Sequence, residues 1–235
     1  MNKDTAKKLL KKVHDDYTNI ASEFSQTRQR PWQDFSLFKP YIKSGDSIID
    51  VGCGNGRLYT FLRDISDISY TGIDNNEALI KHAQKNYSST HFLVADLLDL
   101  PRGVKYDILF SIASLHHIPS QELRNKSVRE MNQILKKNGT VIITVWNLFQ
   151  KRYRKHIIRS LFNFFIQFGR YDWNDTFIPW GKGGIRRYYH AFTPGEIKKL
   201  FTENGFIVKK ILYTKKGRAV PFLKSHNICL ICKKQ

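Results

Sequence analysis

Residues 47–58 read Ser-Ile-Ile-Asp-Val-Gly-Cys-Gly-Asn-Gly-Arg-Leu, and no other stretch limits the fold as much. Ile48, Ile49 and Val51 make a short β-branched run of the kind buried on both faces of a parallel sheet. Gly52, Gly54 and Gly56 follow at alternate positions, where bare backbone turns sharply and lets a ligand come close. A helix is expected from Leu58 to Arg63, which puts the ligand over the carboxyl end of the strand, beside the helix N-terminus. A second strand, Tyr70 to Ile73, ends at Asp74, 22 residues after Gly52. An acid at that spacing accepts hydrogen bonds from a ribose diol.

The same strand–helix alternation continues along the chain. A helix is predicted over Asn75–Asn86, a strand over His91–Ala95 ending at Asp96, and a strand over Tyr106–Ser111. A helix over Gln121–Lys136 is expected to stop at Asn138-Gly139, before a fifth strand over Thr140–Trp146. Thr193-Pro194-Gly195-Glu196 is a capping box with proline at the first helical position, opening a helix that ends near Gly205. Phe206–Tyr213 and Asn227–Cys232 then read as an antiparallel hairpin joined by a basic loop. The expected fold is an α/β three-layer sandwich, Rossmann-like, with a seven-stranded, mostly parallel sheet. It is read as one domain over residues 1–235, in which residues 1–46 form a helical lid. Within that lid, residues 3–25 are helical, Gln33–Ile42 is a second short helix, and Arg28 and Trp32 between them reach for the site. Core packing would account for Trp32 equally well.

Charge is distributed unevenly. The net charge is +19, with residues 1–46 holding 9 basic and 6 acidic side chains, residues 47–146 holding 11 and 10, and residues 147–235 holding 19 and 4. A neutral ligand half and a cationic remainder suit a polyanionic partner, against the plainer reading of a solvated lysine-rich surface. Residues 147–190 interrupt the alternation. Here Arg152, Arg154, Lys155 and Arg159 precede the aromatic run Leu161–Phe168. Nucleic-acid contact, a helix lying on a membrane surface, and simple packing of Phe162, Phe165 and Ile166 on the core are the three readings of that segment. The three cysteines, Cys53, Cys229 and Cys232, imply no disulfide framework and fit a reducing, cytoplasmic setting. Cys229 and Cys232 have C-x-x-C spacing without a second pair, so a buried terminal strand is expected and no metal site. No apolar h-region or membrane-spanning stretch is seen, so no membrane insertion is expected.

Nicotinamide binders favour G-x-G-x-x-G, whereas Asp50 here gives D-x-G-x-G-x-G, which resembles the first motif of class I S-adenosylmethionine methyltransferases. That likeness implies S-adenosylmethionine as cofactor, with Asp50 near its cationic amino end, Gly52, Gly54 and Gly56 beneath it, and Asp74 with Asn75 at the ribose. It implies Asp96 and Leu97 at the adenine, and Ser111 and Ile112 facing the reacting methyl group. Enzymes of this class that methylate exocyclic amines often carry Asn/Asp-Pro-Pro-Tyr after the fourth strand. This chain has Ser111-Ile112-Ala113-Ser114-Leu115-His116-His117, which disfavours that chemistry.

A narrower resemblance is carried by Val13-His14-Asp15-Asp16-Tyr17, Phe24-Ser25-Gln26-Thr27-Arg28 with Pro31-Trp32, the His116-His117 stretch, Trp146, Pro179-Trp180 and Arg187-Tyr188-Tyr189-His190. The chain resembles, over about residues 13–232, the tRNA methyltransferases that esterify 5-carboxymethyluridine at the wobble position. It departs at Leu123, where the family usually has the first of two arginines, and in residues 147–181, which are short and basic where the family's segment is typically longer and more acidic. The resemblance implies the tRNA anticodon arm as partner, and a small zinc-binding activator protein beside it. A carboxylate acceptor is already ionised and needs no general base, so the expected task is orientation. Arginine does this through a planar fork. Arg28, Arg124 and Arg187 are the candidates, with Tyr189 and His116 shaping the pocket. The alternatives are a small-molecule O-methyltransferase of the same fold and a cofactor-binding RNA module without turnover.

Overall fold

The structure is a computed structural model that describes residues 1–166, 170–181 and 184–235. Helix α1 spans Lys3–Gln26, capped by the Asn2 side chain accepting from the Thr5 N–H at 2.8 Å. Leu9, Ile20 and Ala21 turn inward along it. The next segment, Gln33–Tyr41, is a 3₁₀ helix, because Pro40 inside it cannot donate to an α-helical ladder. Strand β1 (Ser47–Val51) leads through the glycine loop to the single turn α2 (Tyr59–Leu62) and on to β2 (Ser69–Asp74). Helix α3 (Glu77–Asn86) follows, capped by Asn76, then β3 (His91–Val94) and β4 (Tyr106–Ile112). Helix α4 (Gln121–Ile134), β5 (Leu135–Trp146), α5 (Arg154–Ile166), β6 (Asp175–Pro179) and β7 (Arg186–His190) come next. The chain closes with α6 (Pro194–Thr202), β8 (Phe206–Lys215), β9 (Arg218–Ala219) and β10 (Asn227–Lys234).

The main sheet has eight strands, in the order β3-β2-β1-β4-β5-β10-β8-β9, rather than the seven expected. β1 pairs in parallel with β2 and β4, as does β4 with β5. β10 is inserted antiparallel between β5 and β8. The additional strand is β9, two residues of the basic loop that fold back on β8, with Thr214 opposite Ala219. A separate two-stranded ribbon, β6 with β7, lies outside the sheet. Apolar clusters cover both faces of the sheet, so the reversal of strand order between β1 and β4 opens a crevice at their carboxyl ends.

Two other expectations need correction. The helix expected to stop at Asn138-Gly139 ends at Ile134; β5 begins at Leu135, and Asn138, at φ +61°, sits in its first irregular pairs. The packing of Phe162, Phe165 and Ile166 on the core does not occur. α5 turns Ile157 and Ser160 inward and leaves those three 65%, 73% and 71% exposed, while Phe168 lies outside the described residues. The capping box at α6 and the burial of Cys229 and Cys232 in β10 match the reading. The two thiols sit in different apolar clusters, and burial pushes each up to about 12. Among the described residues, no helix is long and apolar enough to cross a membrane.

Candidate active site

The crevice is walled by the loops after β1, β2, β3 and β4 and roofed by α1, which contributes Leu10, Val13, His14, Tyr17 and Phe24. Its floor depends on Gly52. The backbone there has φ +78°, and a Cβ at that position would meet the Ser114 Oγ at 2.2 Å. Gly54, at φ +56°, donates its N–H to Asp74 Oδ2 at 2.9 Å, while the Asn76 N–H donates to Asp74 Oδ1 at 2.9 Å. Asp74 therefore ties the glycine loop to the cap of α3 and still faces the crevice. Asp96 accepts from the Leu98 N–H at 2.8 Å and from the Asn75 side chain at 3.3 Å, with Leu97 beside it.

Asp50 carries the clearest mark of a missing partner. Its Oδ2 accepts from the Tyr70 hydroxyl at 3.0 Å, but its buried Oδ1 has no hydrogen-bond partner. Burial pushes its carboxyl up to about 7. A carboxylate oxygen left unpaired at the wall of a crevice calls for a cationic or donating ligand group. The donor set thus fits a nucleoside with a cationic tail.

On the other side of the crevice stands a cationic aromatic box. The guanidinium carbons of Arg28 and Arg187 lie 4.7 Å and 4.4 Å from the Trp180 ring centroid. Neither arginine pairs with a carboxylate among the described residues. Arg28 donates to Thr27 Oγ1 at 2.7 Å, and Arg187 Nη1 donates to the Tyr17 hydroxyl at 2.9 Å. The Arg187 Nε and Trp180 Nε1 donors are buried without partners. Burial lowers the pKa of Arg28, which marks the cost of holding that charge unpaired.

The two histidines are neutral. Burial lowers His116 well below the usual range and brings His117 down to about 3, with Arg187 adding to both. Their tautomers follow from their partners. His117 Nδ1 donates to the Tyr188 carbonyl at 2.8 Å, so Nε2 accepts from the Tyr17 hydroxyl at 2.8 Å. His116 Nδ1 accepts from the Trp146 N–H at 3.2 Å, so its proton sits on Nε2 and that atom cannot take another from a substrate.

The crevice brings together Arg28, Asp50, Gly52, Gly54, Asp74, Asn75, Asp96, Leu97, Ile112, His116 and Arg187. Four expected site residues are not on its surface. Gly56 turns its α-carbon into the core, where a Cβ would meet Phe92 at 2.9 Å. Ser111 is fully buried in β4. Arg124 is 1% exposed and spends its charge internally, donating to Asp172 Oδ2 at 2.8 Å and to the Ile118 carbonyl at 3.4 Å. Tyr189 is fully buried behind the wall, stacked at 20° on Trp146 and packed on His116. Tyr17, His117 and Trp180 were not singled out from the sequence as site residues, although each lies in a stretch that carries the family resemblance.

Residues 42–206 match the family described as methyltransferase domain, and the chain belongs to that family. A tRNA (carboxymethyluridine(34)-5-O)-methyltransferase of Saccharomyces cerevisiae is 34% identical over 176 residues, covering 74% of this chain and 58% of that protein. One from Arabidopsis thaliana is 36% identical over 145 residues, covering 61% of this chain and 35% of that protein. One from Schizosaccharomyces pombe is 28% identical over 216 residues, covering 82% and 87%. The chain thus spans well under two thirds of the length of the first two. Among solved structures, a SAM-dependent methyltransferase from Methanosarcina mazei superposes with a TM-score of 0.68 at 23% identity, covering 84% of this chain and 96% of that one. A methyltransferase solved with the Haloferax volcanii Trm112 methyltransferase activator superposes with a TM-score of 0.65 at 16% identity, covering 93% and 97%. The fold is therefore that of the class I methyltransferases.

Proposed function

We propose that this chain transfers a methyl group from S-adenosylmethionine to the carboxylate of a 5-carboxymethyluridine in the anticodon arm of a tRNA. The observation that carries the reading is the Arg28–Trp180–Arg187 box, in which two cations face the crevice and, among the described residues, neither makes an ion pair with a carboxylate. A planar carboxylate fits such a fork. The relatives named for carboxymethyluridine methylation support that acceptor. When bound, S-adenosylmethionine supplies an electrophilic methyl group on a cationic sulfur. Asp50 would hold its amino end, Gly52 and Gly54 would bring bare backbone against it, Asp74 would take the ribose, and Asp96 with Leu97 the adenine.

No proton has to leave an ionised carboxylate acceptor, so the transfer needs no base. His116 holds its proton on Nε2, and His117 is occupied at both nitrogens. The work left to the residues is geometric. Arg28 and Arg187 fix the acceptor oxygens, α1 excludes water from above, and Trp146 closes the side. A fork that orients without full neutralisation keeps the oxygen nucleophilic.

Among the described residues no strand pairs with the outer edge of β3, where Leu93 and Val94 are 38% and 52% exposed. An apolar, unpaired edge is a ready surface for strand addition by a partner. It supports the reading that a small activator protein docks there. The deciding experiment incubates the protein, alone and with such an activator, with an anticodon stem-loop carrying 5-carboxymethyluridine and labelled cofactor. Mass spectrometry of the nucleosides should find the methyl ester. Label appearing only in free small acids would overturn the RNA reading in favour of a small-molecule enzyme, and no label in either would leave a binding module.

A further inference from the structure

A second groove adjoins the crevice. It shares Trp32, Arg57 and Trp146 with it, and adds Arg152, Tyr153, Lys216 and His226. From these residues we propose that the groove is a subsite for the nucleotides flanking the acceptor, so that the substrate is a strand and not a free nucleoside. The inference rests on the carboxylate-methylation reading for what sits in the first pocket. It goes beyond it in saying where the RNA chain leaves that pocket.

The groove is lined by cations drawn from three separate parts of the sequence. Arg57 follows the glycine loop, Arg152 precedes α5, and Lys216 lies in the turn between β8 and β9. Among the described residues, none of the three makes an ion pair. Arg57 spends only its Nε, on the Arg30 carbonyl at 2.6 Å, and lies 5.1 Å from the Trp32 ring. The one acid in the groove, Asp34, is already consumed. It accepts from the Thr214 hydroxyl at 2.6 Å, the Gly217 N–H at 2.6 Å and the Asn227 side chain at 2.8 Å, and is 4% exposed. Its role is to tie the 3₁₀ helix to the β8–β9 turn and so hold Lys216 in place. The free charge of the groove is therefore positive.

Aromatic surface is interleaved with these charges. Tyr153 stacks on Trp146 at 19°, with Arg152 5.5 Å from its ring centroid, and Trp32 stands at the junction with the crevice. Cations beside half-buried rings are how single-stranded nucleic acid is held without reading its sequence. A small carboxylic acid would have no use for it. Beyond Tyr153, the exposed Arg154, Lys155 and Arg159 carry the cationic path along α5. The same surface would also attract an anionic lipid layer, which the test includes as an outcome.

The test compares the full chain with Arg152→Ala/Lys216→Ala and Arg152→Glu, using a 5-carboxymethyluridine stem-loop, the free 5-carboxymethyluridine nucleoside, and vesicles of anionic phospholipid. Both positions are exposed, and cofactor affinity by calorimetry serves as the folding control. For the stem-loop, KM should rise about tenfold in the double variant with a smaller change in kcat. The slope of log affinity against log salt should become shallower by about 1.5, because two phosphate contacts are lost. Arg152→Glu should weaken binding further. An unchanged KM and salt slope in both variants, while the wild-type protein methylates the stem-loop, would overturn the groove and leave the proposed function standing. Equal kcat/KM for nucleoside and stem-loop in the wild-type protein would overturn it too, as would binding that the variants lose for vesicles but keep for RNA. Stem-loop binding that weakens as described, with no methyl ester formed, would instead sink the proposed function.

Discussion

Arg187 Nη1 donates to the hydroxyl of Tyr17 at 2.9 Å, joining a residue of β7 to one on α1 that is 170 positions away. The contact has a direction that its neighbours fix. Tyr17 donates its hydroxyl hydrogen bond to His117 Nε2, and His117 Nδ1 donates to the Tyr188 carbonyl, so the chain of donors runs from the guanidinium inward. It holds Arg187 on the face of Trp180, with Nε left over for an acceptor. A roof helix and the cation of the box are thus one unit.

Tyr17→Phe should therefore lower kcat by about 10-fold, and Arg187→Lys by about 100-fold, with cofactor affinity retained. The first loosens the fork and the second removes its planarity. Single-turnover methylation of the stem-loop measures both. If Arg187→Lys kept the wild-type rate, the orienting role would fail.

The electrostatics of Asp50 give a pH dependence for cofactor binding. Burial holds its carboxyl at about 7, so in the free protein the charge that would meet a cationic ligand is lost as pH falls below that value. The dissociation constant for S-adenosylmethionine should rise about tenfold for each pH unit below about 7 and level off above it. Asp50→Asn should flatten the curve at weak affinity. Calorimetry across about pH 5.5 to 8.5 decides the matter, and a flat curve for the wild-type protein would be the contrary result.

Most of the cofactor side of this site is local in the chain, which is why it was legible. Asp50 lies near the end of one strand with Gly52 and Gly54 just after it, Asp74 ends the next, Asp96 follows the third, and strand alternation alone places them on one edge. The acceptor side is not local. Trp180 in a ribbon outside the sheet and Tyr17 on α1 meet only through tertiary packing, and no spacing announces it. Arg124 shows the converse. A charged residue in a family-like helix reads as functional until Asp172, 48 positions on, is seen to take its charge. The eighth strand escaped notice because two residues pairing within a basic loop leave no periodic signal.

At one end of the ribbon, His190 bridges Asp175 at 2.8 Å and Glu196 at 2.6 Å. Burial disfavours its charge, but the two hydrogen bonds outweigh burial and raise its pKa. The unfolded chain protonates histidine at about 6.5, so this contribution is fully present below that pH and is lost as pH rises through the higher folded value. Thermal stability should consequently fall from about pH 6.5 upward, and Glu196→Gln should reduce the fall. Scanning calorimetry of both proteins at about pH 6 and about pH 9 tests it. A wild-type Tm that rises over this interval, with the variant in parallel, would contradict the bridge.

Arg124 is expected to matter for stability and not for turnover. Its guanidinium is buried between Asp172, the Ile118 carbonyl and the Phe192 ring, and α4 delivers it there from outside the crevice. Removing one partner of a buried pair leaves the other's charge uncompensated, which costs about 3–5 kcal/mol when both are deeply enclosed. Asp172 keeps 23% of its side-chain surface and a 3.5 Å pairing with the N-terminal ammonium, so Arg124→Ala should fall below the lower end of that range. Replacing Asp172 as well should recover part of the loss, because the acid left with only that weaker partner is gone. Denaturant melts of the single and double variants measure the coupling, and methylation rates normalised to folded protein separate the two roles. A single variant with wild-type stability and a collapsed rate would return Arg124 to the catalytic set.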